Sequence, residues 1–236
     1  MNTTKTSNFT VSIALCIIGS LLISCSSEST DWQLANLEGN VKSFTEKWVH
    51  IPKKSSSPTP PYITYTRVSY DTLGYCTLRE RLDDDLCSIE KTILERNGVD
   101  LTQEIVYNRY NEVLQTRKVK SISKSGCTMD VYNQYNRKSF ETEQVYGNNK
   151  IKRYFSHFIK LDGSGRETST VAYKYNSKGK LSKIYVDKEN QGSYYMRYEY
   201  VEFDAHNNWT KRFVHFKRGG GKENKTQIQT RFYEYY

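Results

Sequence analysis

The sequence predicts an all-β domain, an extended twisted antiparallel meander of about a dozen strands built from stacked hairpins. Three observations carry that expectation. First, in residues 194 to 203 the side chains alternate strictly. Tyr194, Met196, Tyr198 and Tyr200 fall on one face and Tyr195, Arg197, Glu199 and Val201 on the other, which is the period of a strand. Second, turn-forming clusters recur about every 11 to 16 residues, the spacing of one strand plus one turn. Third, the chain holds 20 Tyr, 9 Phe and 3 Trp, a balance that favours strands.

The chain opens on an address. Lys5 precedes a mostly apolar run from Val11 to Ile23 that is short for a membrane span, and the run closes Leu22-Ile23-Ser24-Cys25. An apolar residue three before a Cys and a small one directly before it resemble the bacterial lipoprotein signal. That resemblance implies cleavage before Cys25 and acylation of it, with Cys16 leaving in the removed segment. Two or more acyl chains hold a protein stably on a membrane. The expected organisation is a signal peptide at 1–24, a lipidated tether at 25–36 and one β domain at 37–236. The tether contains Glu28 and Asp31 among serines, a sparse form of the acidic stretch that accompanies surface export in Bacteroidota-type lipoproteins and equally a plain solvated linker.

Removing residues 1–24 takes away one Lys and no acid, so the formal charge of +9 becomes +8. The basic surplus is spread along the chain without a Lys/Arg block, which suits anionic glycans, lipid head groups or acidic proteins. Export to the envelope argues against nucleic acid.

From Trp32 to Leu37 the sequence allows one helical turn behind a Ser29/Thr30 cap. The first strand opens within Leu37 to Glu46, and Lys53 to Pro61 reads as a Pro/Ser-rich loop. Turn signals then follow from Asp71 to the terminal Gly219-Gly220-Gly221. Asp85 to Leu94 has some helical spacing, but its β-branched residues and the rhythm around it favour a strand. The hairpin at 194–217 turns at Asp204 to Asn208, and its return run sets Trp209, Phe213 and His215 against Val214 and Phe216. Cys76 and Cys87 flank the turn at Arg81 to Asp85, which makes them a candidate disulfide outside the cytoplasm, with free buried thiols at Cys76, Cys87 and Cys127 as the alternative.

Several turns place an aromatic before Asp or Asn: Tyr70-Asp71, Tyr110-Asn111, Tyr135-Asn136, Tyr175-Asn176 and Phe203-Asp204. Together they resemble the Tyr-Asp motif of the RHS/YD-repeat group in the degenerate form carried by small Bacteroidota-type lipoproteins. The resemblance implies stacked hairpins and carries no catalytic residues. In such a unit the Asx side chain fixes the turn, Gly takes up positive φ, and the aromatic packs on the neighbouring hairpin.

Motifs for chemistry are few. His50, His157, His206 and His215 are scattered, with His206 and His215 able to approach only across the last hairpin. Asp83-Asp84-Asp85 lacks the further acids and Gly of a calcium loop. Gly219-Gly220-Gly221-Lys222 continues with Glu223 where a phosphate loop needs Ser or Thr. No cofactor or metal is expected. The residues therefore point to a non-enzymatic, membrane-anchored binding or scaffold module of the cell envelope, on the outer membrane. Its expected partners are an anionic glycan or an acidic envelope protein. Tyr194, Tyr198, Tyr200 and Trp209 are its candidate ligand or packing aromatics. The alternative is an envelope hydrolase or transferase whose acidic residues converge in a cleft.

Overall fold

The computed structural model describes residues 30–52, 61–123, 126–147, 150–159, 166–188 and 192–236. Cys25 and most of the 53–61 loop lie outside them. Within them, α1 (Asp31–Ala35) precedes fourteen strands. These are β1 (Val41–His50), β2 (Tyr62–Tyr70), β3 (Cys76–Leu82), β4 (Ser88–Asn97) and β5 (Asp100–Asn108). There follow β6 (Val113–Ser123), β7 (Gly126–Asn133), β8 (Lys138–Gly147), β9 (Lys150–Ile159) and β10 (Arg166–Tyr175). The last are β11 (Leu181–Lys188), β12 (Gly192–Phe203), β13 (Trp209–Arg218) and β14 (Asn224–Tyr235). Each strand pairs antiparallel with the next, so the meander stands as expected, and the ambiguous Asp85 to Leu94 segment enters β4.

The meander also meets itself. β1 pairs β2 on one side and β14 on the other, setting Glu46 against both Thr66 and Arg231. The sheet is a closed barrel, a topology that leaves no strand edge unpaired. An eight-stranded barrel is just filled by its own side chains; fourteen strands enclose more room, and this chain fills much of it with aromatic and Arg side chains.

A single connection pattern repeats at six turns. Asp71, Asp83, Asn108, Asn133, Asn176 and Asp204 each accept at Oδ1 from the backbone N–H two and four residues on. In each, the residue three on has positive φ: Gly74, Leu86, Asn111, Asn136, Gly179 and Asn207. This corrects the sequence frame at two turns. Asn111 and Asn136 occupy the positive-φ position, and the residues that fix those turns are Asn108 after Tyr107 and Asn133 after Tyr132. Tyr110 and Tyr135 are consequently solvated, at 75% and 72% exposure, and pack on no hairpin.

At one end of the barrel α1, here termed the plug, packs against the starts of β1 and β3. Thr30 caps it in a capping box with Gln33. Leu34 is buried, the Trp32 backbone donates to the Gly74 carbonyl at 3.2 Å, and the Trp32 indole donates to the Val41 carbonyl at 2.9 Å. A Cβ at Gly74 would come within 2.5 Å of the Trp32 ring. Asp31 is fully buried, where it accepts from the Cys76 amide at 2.6 Å and from Arg96 at 2.8 Å.

The candidate disulfide does not form. Cys76 begins β3 beside α1, while Cys87 follows the turn at the other end of the same strand, paired through its carbonyl with Asp83. Seven residues of strand separate the two ends, on the order of 20 Å, against the 4.4–6.8 Å a bridge spans. All three thiols are free, Cys76 and Cys127 buried and Cys87 exposed. Burial pushes the Cys76 thiol up to about 12.

Candidate functional site in the barrel interior

Which side chains face inward follows from the alternation. On β12 Tyr194, Met196, Tyr198 and Tyr200 point into the barrel, packed with Val214, Ile184 and Tyr173. On β13 the phase differs from the expected one: irregular pairing between Tyr200 and Phe203 puts Trp209 on the inner face with Arg212, Val214 and Phe216, opposite to Phe213 and His215. The four candidate aromatics therefore share the interior. Tyr198 and Trp209 are 7% and 6% exposed. The Tyr200 hydroxyl donates to the Leu181 carbonyl at 2.7 Å, and Tyr194 packs on Phe216 at 5.2 Å.

Across from this apolar wall the inner face of β13, β14 and β1 to β6 is charged. Glu46, 3% exposed, accepts from Arg231 at 2.7 Å and lies 3.6 Å from Arg212. Both guanidiniums cover the Trp209 ring, Arg212 at 4.0 Å and Arg231 at 4.1 Å. Burial works to lower the Arg231 pKa, but Glu46 outweighs it and keeps that side chain charged. A second group repeats the arrangement. Glu104, 2% exposed, lies 3.1 Å from Arg79 and 2.9 Å from Arg117. Burial alone would push its carboxyl up, yet Arg79 and Arg117 together hold it below the usual value of 4.5. Each of these two buried carboxylates is shared between two guanidiniums, so each group carries one positive charge beyond its carboxylate.

Both groups border one cavity of about 280 Å³, floored by Leu34, Ala35 and Asn36 of the plug. Seven cationic side chains line it against three carboxylates, and nine Phe, Tyr and Trp residues supply most of its apolar surface. Exposure rises away from α1, from 11% for the Arg79 side chain to 40% for Arg81 and 58% for Tyr62. At that end the His50 ring stacks on Tyr62 at 3.9 Å and lies 3.1 Å from Gln227. Burial lowers the His50 pKa, which favours the neutral ring.

Of the four aromatics the sequence offered as ligand or packing candidates, Tyr198, Tyr200 and Trp209 line the cavity and Tyr194 does not; the sequence did not single out Glu46, Glu104, Arg79, Arg212, Arg231 or His50 for a site. Their only sequence signal is a charged residue at an inward position of an alternating strand. The other expectations stand apart from the cavity. His206 packs on Tyr235 at the plugged end, and His215 pairs with Glu199 at 2.7 Å on the outer face, so the two do not meet. The side chain of His157 lies outside the described residues. Asp84 and Asp85 are exposed turn residues, as are Gly219 to Gly221. Among the described residues no His, Cys, Asp and Glu cluster is arranged to hold a metal ion.

The outer wall carries lysines along its strands. Lys47, Lys91, Lys118 and Lys183 lie over the rings of Tyr65, Tyr107, Tyr132 and Tyr195 at 5.2 to 5.9 Å. These are mid-strand positions, where a lipid-spanning barrel carries an apolar band and where each Lys or Arg would cost about 2–4 kcal/mol at the bilayer midplane.

No family model and no curated protein matches the chain. Among solved structures it is similar to a porin-like protein from Bacteroides uniformis ATCC 8492, with a TM-score of 0.47 and 11% identity over 82% of this chain and 96% of that one.

Proposed function

We propose that this chain is a non-enzymatic binding module of the cell envelope, anchored to the outer membrane through acylated Cys25, and that it receives an anionic glycan in the barrel interior. One observation supports this most: a cavity lined by seven cationic side chains against three carboxylates, amid aromatic rings. A buried positive excess attracts an anion far more strongly than the same charges in water, and aromatic faces suit sugar rings. A cavity of about 280 Å³ has room for the end unit of a glycan and excludes a folded acidic protein. General acid or base catalysis by a carboxylate requires it to change protonation. Glu46 and Glu104 are each fastened between two guanidiniums, which favours binding over the hydrolase or transferase alternative. The six matching Asx turns are consistent with descent from a YD-like repeat.

The test is retention of the full chain, in detergent micelles, on immobilised acidic and neutral glycans at low and high salt. Retention on acidic glycans alone, weakening as salt rises, is the expected result. Equal retention on neutral glycans would overturn the reading.

A further inference from the structure

The two charged groups differ in how well their cations are served. Arg212 donates through Nε to Gln229 at 2.5 Å and stacks on Trp209, and Arg231 donates to Glu46 while covering the other side of the same region. Arg79 is served less well. Its side chain is 11% exposed, its contact with Glu104 is an ion pair at 3.1 Å, and its Nε and Nη1 are buried without a hydrogen-bond acceptor. A buried donor left without an acceptor is costly and uncommon in a folded protein, and where it persists it marks a place for a water or an ion.

Strand register sets the surroundings of Arg79. Arg81 is two residues along the same strand, so both side chains share the inner face. Thr92 lies directly across from Arg79 on β4, and Thr66 directly across from Arg81 on β2. All four line the cavity. Glu90, across from Arg81 on β4, lies 3.8 Å from it, a loose pair at the more open end. Two guanidiniums flanked by two hydroxyls supply the donors that a planar or tetrahedral oxyanion accepts. Arg81 stands at the more open end and Arg79 deeper.

We propose that Arg79 and Arg81, with Thr66 and Thr92, form the seat for the acidic group of the ligand, a carboxylate or a sulfate ester borne on a sugar. This assignment rests on the binding reading above. The oxyanion passes Arg81 and supplies the acceptors that Arg79 lacks; a turn of the Arg79 guanidinium brings its donors to the cavity while Glu104 keeps Arg117.

Isothermal titration of the full chain in detergent micelles tests it, with glucuronate, glucose 6-sulfate and glucose as probes. The expected result is binding of one or both charged sugars and none of glucose, with R79Q and R81Q each weakening it at least tenfold and K183Q, on the outer face, leaving it unchanged. Whichever charged sugar binds identifies carboxylate or sulfate as the group. Should R79Q fail to fold, R81Q decides, because that side chain is 40% exposed. Unchanged binding in R81Q would overturn the seat and leave the anion-binding reading standing. A wild type that binds neither charged sugar, or that binds glucose equally well, would remove both.

Discussion

Trp209 shows how a residue legible in the sequence acquires its meaning only in the fold. Its ring lies between Arg212 and Arg231 and is nearly enclosed. Trp209→Ala removes the ring and leaves a cavity between two charges, so a loss of about 3–5 kcal/mol is expected in urea unfolding; a variant with the wild-type midpoint would show that the two guanidiniums do not depend on it. Glu104 permits a test by pH. Its carboxyl lies below the usual 4.5 in the folded chain, so its stabilising contribution is complete above that value and is lost as pH falls through the folded one. Glu104→Gln should therefore flatten the acid limb of the stability profile. At neutral pH it should cost about 3–5 kcal/mol, since Arg79 and Arg117 stay buried without their counter-charge. Tyr194, Tyr198, Tyr200 and Trp209 could be read ahead because aromatics at alternate positions announce a buried face. The charged groups could not, since Glu46 meets Arg231 across 185 residues of chain and each alone looks like an ordinary surface charge.

The turns are the element whose rule is now explicit. Five of the six positive-φ positions hold Gly or Asn, and the sixth holds Leu86 at φ 60°. A branched side chain in that region costs on the order of 1–2 kcal/mol. Leu86→Gly, at an exposed position, should raise the thermal midpoint, and the opposite shift would show that the Leu86 side chain has a packing role. Removing an Asx acceptor acts the other way. Asn133→Ala deletes the one side-chain oxygen that accepts from two backbone N–H groups, for a loss of about 1–3 kcal/mol at roughly 1 kcal/mol per bond, measurable by the same melts. Strand and turn order were legible because alternation and Asx/Gly clusters are local signals. The frame slipped at Tyr110-Asn111 and Tyr135-Asn136 because Asn serves both the acceptor position and the positive-φ position, and an aromatic precedes each. For Cys76 and Cys87 the sequence left bridge and free thiols both open, and the free-thiol alternative is the one seen, with Cys87 exposed rather than buried; spacing in sequence does not say which residues belong to the turn and which to the strand.

Closure belongs to the molecule as a whole and was the part least readable in advance. It depends on how twist and tilt accumulate over fourteen strands, while each hairpin by itself is compatible with an open sheet. β14 completes the ring, and Gln227, Gln229 and Arg231 on it complete the charged wall. The outer surface bears on anchoring. Lys side chains at mid-strand positions of the outer face disfavour burial in lipid, and under the function proposed above attachment would fall to acylated Cys25. Cys25→Ala should move the protein from the membrane pellet to the soluble fraction, still folded by far-UV dichroism. Persistence of the variant in washed membranes at wild-type levels would mean that the barrel wall itself holds lipid.

The position of α1 would give the proposed anchoring a direction. Leu34 and Ala35 of α1 border the cavity at one end, and Thr30, its cap, stands five residues after Cys25. Five residues, however arranged, reach at most about 18 Å. Were Cys25 acylated as proposed, the α1 end of the barrel would be held within about 18 Å of the lipid, and the end with His50, Tyr62 and Arg81 would be the one turned away from it. A ligand for the cavity would then arrive from the solvent side, past Tyr62 and Arg81.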